Sequence, residues 1–137
     1  MRFQVDGLDD LIRAFDGLAN LPDAVTDEML SVQADLVVEA QKRTASTMLQ
    51  GPYYAGGVAG AVTKSRVKKT SGGKAVDIEF KGTQHGESLA RIAYINEYGK
   101  TNQPARPFIK TANEQAEGPA LAAAQKVYDD YLKSKNL

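Results

Sequence analysis

The chain contains no cysteine and a single histidine among its 137 residues. Without a thiol there is no disulfide, no thiolate metal ligand and no cysteine nucleophile. His85 stands alone in a glycine-rich stretch, so the His-x-x-x-His spacing of a zinc site is absent. A Ser-His-Asp triad would have to be built on that one residue. No apolar run is long enough to cross a bilayer. The opening, Met1-Arg2-Phe3-Gln4-Val5-Asp6, lacks the charged-then-apolar plan of a secretory signal. Gly57-x-x-Gly60 followed by Lys64-Ser65 is a phosphate loop only superficially, because Val62-Thr63 intervene where Gly-Lys-Ser/Thr must be contiguous. These absences suit a protein that folds in a reducing cytoplasm, uses no cofactor or metal and has no evident active site.

What is present is an ordinary globular composition with an uneven charge layout. The hydrophobic content of 42% supplies one core, and the length fits a single domain over residues 1–137. The 17 basic and 17 acidic residues cancel, but they are segregated. Up to Ala40 the acids are Asp6, Asp9, Asp10, Asp16, Asp23, Asp27, Glu28, Asp35 and Glu39, against only Arg2 and Arg13. From Gln41 to Val76 there is no acid, while Lys42, Arg43, Lys64, Arg66, Lys68, Lys69 and Lys74 all occur. An acidic front precedes a basic middle.

Periodicity sketches the elements. Leu8, Leu11, Ile12, Phe15 and Leu18 share one face of a first helix, capped by Asp6 or Asp9 and ended by Asn20-Leu21-Pro22. Asp23 is placed to cap a second helix running to about Thr47, with Val25, Met29, Val32, Leu36 and Ala40 as its core stripe. Gly51 to Gly60 reads as a loop or a short irregular helix. Ser65 to Lys69 and Lys74 to Lys81 read as paired strands around Ser71-Gly72-Gly73, with Val76, Ile78 and Phe80 alternating to one face. Leu89 to Ala93 reads as a further strand, leading into a helical turn whose Tyr94, Ile95 and Tyr98 anchor in the core. A last helix starts at Pro107 and is expected to kink or break at Gly118-Pro119. Its second piece carries Leu121, Ala124, Tyr128, Tyr131 and Leu132 on one face. The sum is an α+β fold: a small antiparallel sheet packed against a long helix and a C-terminal helix.

The most specific block is Tyr94-Ile95-Asn96-Glu97-Tyr98-Gly99-Lys100, followed by Pro104-Ala105-Arg106-Pro107-Phe108-Ile109. Gly99 can take the left-handed conformation that ends an element, Pro104 keeps the loop extended, and Pro107 suits a first helical turn. Glu97, set among aromatics, is expected to pair with Arg91 or Arg106, because a buried carboxylate without a partner is costly. Arg106 is expected to lock the loop as a bidentate donor.

Aromatic-x-x-Glu-aromatic-Gly, a short loop and Ala-Arg-Pro-Phe resemble the tail-completion proteins of long-tailed double-stranded-DNA phages, the group that includes the minor tail protein Z of lambda-like phages. The order of the remaining segments is similar as well: Gly7-Leu8-x-x-Leu11, a long helix ending near Ala40-Gln41-Lys42-Arg43, a glycine-rich segment and a hairpin. One departure is Tyr53-Tyr54-Ala55-Gly56-Gly57-Val58-Ala59-Gly60-Ala61-Val62, where relatives often carry Thr-Gly-x-Leu-x-x-Ser. Tyr94, Glu97, Tyr98, Gly99, Arg106, Pro107 and Phe108 are the positions that match the family's block.

The resemblance implies a structural protein of the head–tail junction, encoded by a phage or prophage. Its expected place is the virion, and the host cytoplasm during assembly. Its expected partners are the tail terminator, the connector, the tail tube and further copies in a ring, with no membrane and no small-molecule substrate. The charge layout adds an expected contact in which acids of one subunit, among them Asp9, Asp10 and Asp16, meet Lys64, Arg66, Lys68, Lys69 and Lys74 of the next, while the Gly51 to Gly60 segment orders on docking. The basic hairpin has two other readings, a solvated edge and phosphate contact in a small DNA-binding accessory protein. No aromatic residue interleaves its lysines, which argues against single-strand stacking.

Overall fold

The computed structural model describes residues 2–3, 21–49 and 55–135. The expected first helix, with Asp9, Asp10 and Asp16, lies outside the described residues. The elements, numbered along the chain, are β1 (Arg2–Phe3), α1 (Asp23–Met48), α2 (Ala55–Ala61), β2 (Val62–Lys64), β3 (Lys68–Thr70), β4 (Gly73–Phe80), β5 (Thr83–Gln84), β6 (Glu87–Ser88), α3 (Leu89–Tyr98) and α4 (Phe108–Ser134).

Two long helices form the frame. Gln41 Nε2 donates to Asn113 Oδ1 at 3.0 Å and Thr44 Oγ1 donates to the Phe108 carbonyl at 2.8 Å. At the other end Met29 packs with Ala124 and Tyr128. Residue numbers climb on α1 as they fall on α4, so the pair is antiparallel. The seam on α4 is Ala112, Ala116, Ala120, Ala124 and Tyr128, all buried. Alanine lets the two backbones approach closely and loses no rotamer freedom on burial.

That spacing explains why α4 runs through Gly118-Pro119 without the break that proline and glycine there could cause. Proline removes one helical hydrogen bond at a cost of roughly 3 kcal/mol. Ala116 and Ala120, buried on either side of it, hold both halves on α1, while Pro119 itself faces solvent. The continuous phase also turns Leu121 outward, 50% exposed, rather than onto the expected core stripe.

On α1 the buried set is wider than one stripe. Leu30, Ala34 and Val37 face the sheet and α4, and Gln33, Gln41 and Thr44 are buried with them. Val25, Val32 and Leu36, expected in the core, are half-buried. The α1 N-cap is Pro22, without a side-chain cap, so Asp23 is the first helical residue rather than the cap.

The sheet is antiparallel and centred on β4. β1 pairs along one stretch (Arg2↔Asp77, Phe3↔Val76), β2 along another (Val62↔Phe80, Lys64↔Ile78), and β3 along a third (Lys68↔Ala75, Thr70↔Gly73). Ser65 to Val67, expected to be strand, bulge between β2 and β3, where the register shifts by one residue. Ser65 still holds the ladder: its N–H donates to the Asp77 carbonyl at 2.8 Å, and its hydroxyl accepts from Asp77 N–H at 2.9 Å. Val76 and Ile78 enter the core with α1 and α4, as the alternation predicts.

Ala55–Ala61 is a short helix, one of the two readings of the glycine-rich segment it overlaps, and its Val58 is fully buried beside Ala45 and Leu49. One further expectation is corrected. Leu89–Ala93 is not a strand but the first half of α3. Ser88 accepts from Arg91 N–H at 3.4 Å, the N-cap geometry, and Leu89, Ile92, Ala93 and Asn96 then fall on one buried face.

Candidate functional site

The block that carries the family resemblance folds into one joint, built from the end of α3, the loop 100–106 and the start of α4. Asn96 is its organiser and is completely buried. Its amide donates to the Ile92 carbonyl at 2.9 Å, its Oδ1 accepts from Gln103 Nε2 at 3.1 Å, and its carbonyl accepts from Arg106 N–H at 2.6 Å. Gly99 closes α3 at φ +79°. A Cβ there would meet Ala105 N at 2.8 Å and Gln103 O at 2.9 Å, so both the backbone angle and the space demand glycine.

Glu97 has a role that its neighbours in sequence did not suggest. Instead of the expected Arg91 or Arg106, its partners among the described residues are backbone amides: Ile109 N–H donates to Oε1 at 2.7 Å and Lys110 N–H to Oε2 at 3.2 Å. The physical reason is at the head of α4. Pro107 provides no side-chain cap, so the first N–H groups of a 27-residue helix have no intrahelical acceptor and sit at the positive end of its dipole. A carboxylate delivered from α3 satisfies two of them and needs no cation. Arg106 likewise locks the loop through its main chain rather than its guanidinium, its carbonyl accepting from Phe108 N–H at 2.7 Å.

Phe108 anchors the joint from below, fully buried and edge-on to Phe80 with ring centroids 5.8 Å apart. Tyr94 and Tyr98, expected to do the same, are 64% and 68% exposed. With α3 a full helix from Leu89, its buried face is taken by Ile92, Ala93 and Asn96, and the tyrosines fall to the outer side. Their rings tilt against each other at 4.8 Å. Beside them lies an open groove of about 700 Å³, lined by Ile78, Phe80, Ala90, Ala93 and Ile109 together with the charged Glu79, Lys81 and Glu97. The joint therefore presents two exposed aromatic rings at the rim of a groove of mixed character.

Three cations of the basic hairpin, Lys64, Lys68 and Lys74, are ion-paired within the subunit. Lys64 Nζ lies 2.7 Å from Asp35 and donates to Ser31 Oγ at 2.6 Å. Lys68 lies 2.8 Å from Asp77. Lys74 lies 2.7 Å from Asp27 and 3.1 Å from Asp23, and donates to Thr26 Oγ1 at 2.7 Å. The strands lie along the acidic first half of α1, so opposite charges meet intramolecularly. The hydrogen bond and charge of Lys74 hold the Asp23 carboxyl below its ordinary value. Burial pulls the Lys74 ammonium down, but the bonds and charges of Asp27 and Asp23 together outweigh it and raise it above the usual lysine value. Arg66 and Lys69 are the hairpin cations with no ion pair among the described residues.

His85 sits at φ +52° in the turn between β5 and β6, followed by Gly86 at φ +80°. Two successive positive φ angles are the geometry of a two-residue hairpin turn. Among the described residues no group of three or more His, Asp or Glu side chains is arranged to hold a metal, and no helix is long and apolar enough to cross a membrane.

Compared with protein-family models, with curated proteins and with solved structures, the chain matches none significantly.

Proposed function

We propose that this chain is a structural component of the head–tail junction of a long-tailed double-stranded-DNA phage or prophage. It completes the tail and joins it to the head through protein–protein contacts, without turnover chemistry. Its partners are neck and tail proteins such as the terminator, connector and tube, and it works in the virion after assembly in the host cytoplasm. The observation that carries this reading is the joint. The residues resembling the tail-completion block bury Asn96, Glu97 and Phe108 to fix a loop and a helix start, and leave Tyr94 and Tyr98 on the outside. Exposed tyrosines beside a groove are what protein interfaces are enriched in.

Complementation tests it. Particles made without this gene product are expected to accumulate as separate heads and tails, and purified protein is expected to restore joining. The double variant Tyr94→Ser with Tyr98→Ser, folded as judged by its melting transition, should restore it poorly. Intact, infectious virions in the absence of the protein would end the proposal.

A further inference from the structure

Three large hydrophobic side chains are exposed among the described residues: Tyr94, Tyr98 and Leu121. They lie on two separate helix stripes, with exposed Arg91 before the tyrosines and exposed Glu114 and Glu117 before Leu121; Lys110, also exposed, lies one further turn back on α4. On α3 the stripe is Arg91, Tyr94, Tyr98, at positions i, i+3 and i+7, all exposed. On α4 it is Glu114, Glu117, Leu121, at the same spacing and again exposed. Arg91, Glu114 and Glu117 have no ion-pair partner among the described residues. The acids nearest the tyrosines are already engaged, Glu97 by two backbone amides and Glu79 by Lys81 at 3.6 Å.

The two stripes also match in order. Each has its charge at the N-terminal end and its apolar group at the C-terminal end, over a span of about 10 Å. Between Glu117 and Leu121 lies exposed Gly118, with nothing within 4 Å of where its Cβ would stand. That gap leaves room for an aromatic ring to approach the α4 backbone.

We propose that the occupant of the α3 face is the α4 stripe of a second copy of this chain, the two helices lying parallel. Arg91 meets Glu114 and Glu117, the Tyr94 ring lies over Gly118, and Leu121 packs on Tyr98 at the mouth of the groove. Opposite charges set the register and the apolar contacts exclude water. Two different surfaces are used, so the contact is heterologous. It propagates head to tail and closes a ring if the rotation permits. The proposal rests on the assembly reading above, for which it supplies a contact between copies on surfaces separate from the basic hairpin.

The absence of native cysteine makes the test clean. Purified Tyr98→Cys and Leu121→Cys variants are mixed in equal amounts, oxidised mildly, and the products separated by mass. The expected result is a mixed 98–121 dimer in about tenfold excess over either homodimer. Adding Arg91→Glu to the first variant should slow it about tenfold, and adding Glu117→Arg to the second should restore much of the rate. A second pair, Arg91→Cys with Glu114→Cys, reads the same contact at its other end. Homodimers forming as fast as the mixed product, or no dimer from either pair while the variants melt like the parent, overturn the proposal. A junction protein that contacts only other virion proteins would pass complementation and fail here, so the two ideas fall separately.

Discussion

The joint around Asn96 and the hairpin around Lys74 both rely on carboxylates, and they use them in opposite ways. Glu97 is 8% exposed and spends its charge on the backbone amides of α4. Asp23, with its side chain 79% exposed, spends its charge on Lys74, which it shares with Asp27. In the joint, a group left without its partner is a buried polar group without compensation, costing about 1–3 kcal/mol. In the hairpin the acids paired with Lys74 are exposed, so water takes over much of what a lost pair gave them. The same functional group is thus structural cement in one region and a minor trim in the other. The fold should be sensitive at the joint and tolerant at the hairpin.

The largest expected effect is at Phe108, the joint's apolar anchor. Phe108→Ala should cost about 3–5 kcal/mol, because it removes a fully buried ring that meets Phe80. Urea denaturation measures this directly, and a loss below about 1 kcal/mol would mean that the joint is not part of the cooperative core. Gly99→Ala comes next, at about 2–3 kcal/mol. The cost combines a strained positive φ with contact against the Ala105 and Gln103 backbone, neither of which is a flexible side-chain end. Gly57 offers a contrast: its φ is not positive, and a Cβ there would meet side chains rather than backbone, the Gln84 amide and, at 3.2 Å, Leu89 Cδ2. Gly57→Ala should therefore cost clearly less than Gly99→Ala.

Glu97 sharpens the comparison further. Glu97→Ala leaves two N–H groups at the α4 start without their acceptor, and should destabilise by about 1–2 kcal/mol, the range of a lost helix cap. Glu97→Gln keeps one carbonyl acceptor and should recover part of that. Equal losses for the two variants would show that charge at the dipole end, rather than the hydrogen bonds, is the active ingredient.

These residues also show how much a sequence of this kind discloses. The α+β class, the long helix, the Val76-Ile78-Phe80 alternation and the helix start at Pro107 were all legible, because each follows from local periodicity or from proline and glycine chemistry. Tyr94 and Tyr98 were misjudged because an aromatic next to a buried Glu suggests a core, whereas the phase of α3 is set by Ser88 and Ile92 upstream. Pro119 causes no break, although a helix-breaking residue weighed alone could. The alanines on either side, whose burial on α1 overrides it, carry little signal when read as side chains. The Glu97 contact was not legible at all: it bridges two elements, and no spacing rule connects a carboxylate to amides twelve residues away. One clue was present, the absence of Ser, Thr, Asp or Asn immediately before a proline-led helix, which leaves its N–H groups to be satisfied from elsewhere.

The smallest expected effect belongs to the hairpin, and its dependence on pH can be worked out. Lys74 has its proton affinity raised in the fold, so its contribution is fully present below the ordinary lysine value of 10.5 and is lost as pH rises through the higher native value. Asp23 has its proton affinity lowered, so its contribution is present above the ordinary carboxylate value of 3.8 and is lost as pH falls through the lower native value. Between those limits the cluster should be insensitive to pH. Lys74→Met should cost no more than about 1 kcal/mol at neutral pH, with the difference from the parent shrinking in high salt. Lys68→Glu with Lys69→Glu should cost somewhat more, because it places a new acid beside Asp77, 2.8 Å from the present Lys68 ammonium. Denaturation midpoints of these variants at low and high salt are the measurement. A salt-independent loss as large as that of Glu97→Ala would show that the hairpin pairs are structural in the way the joint is, and the distinction between the two regions would collapse.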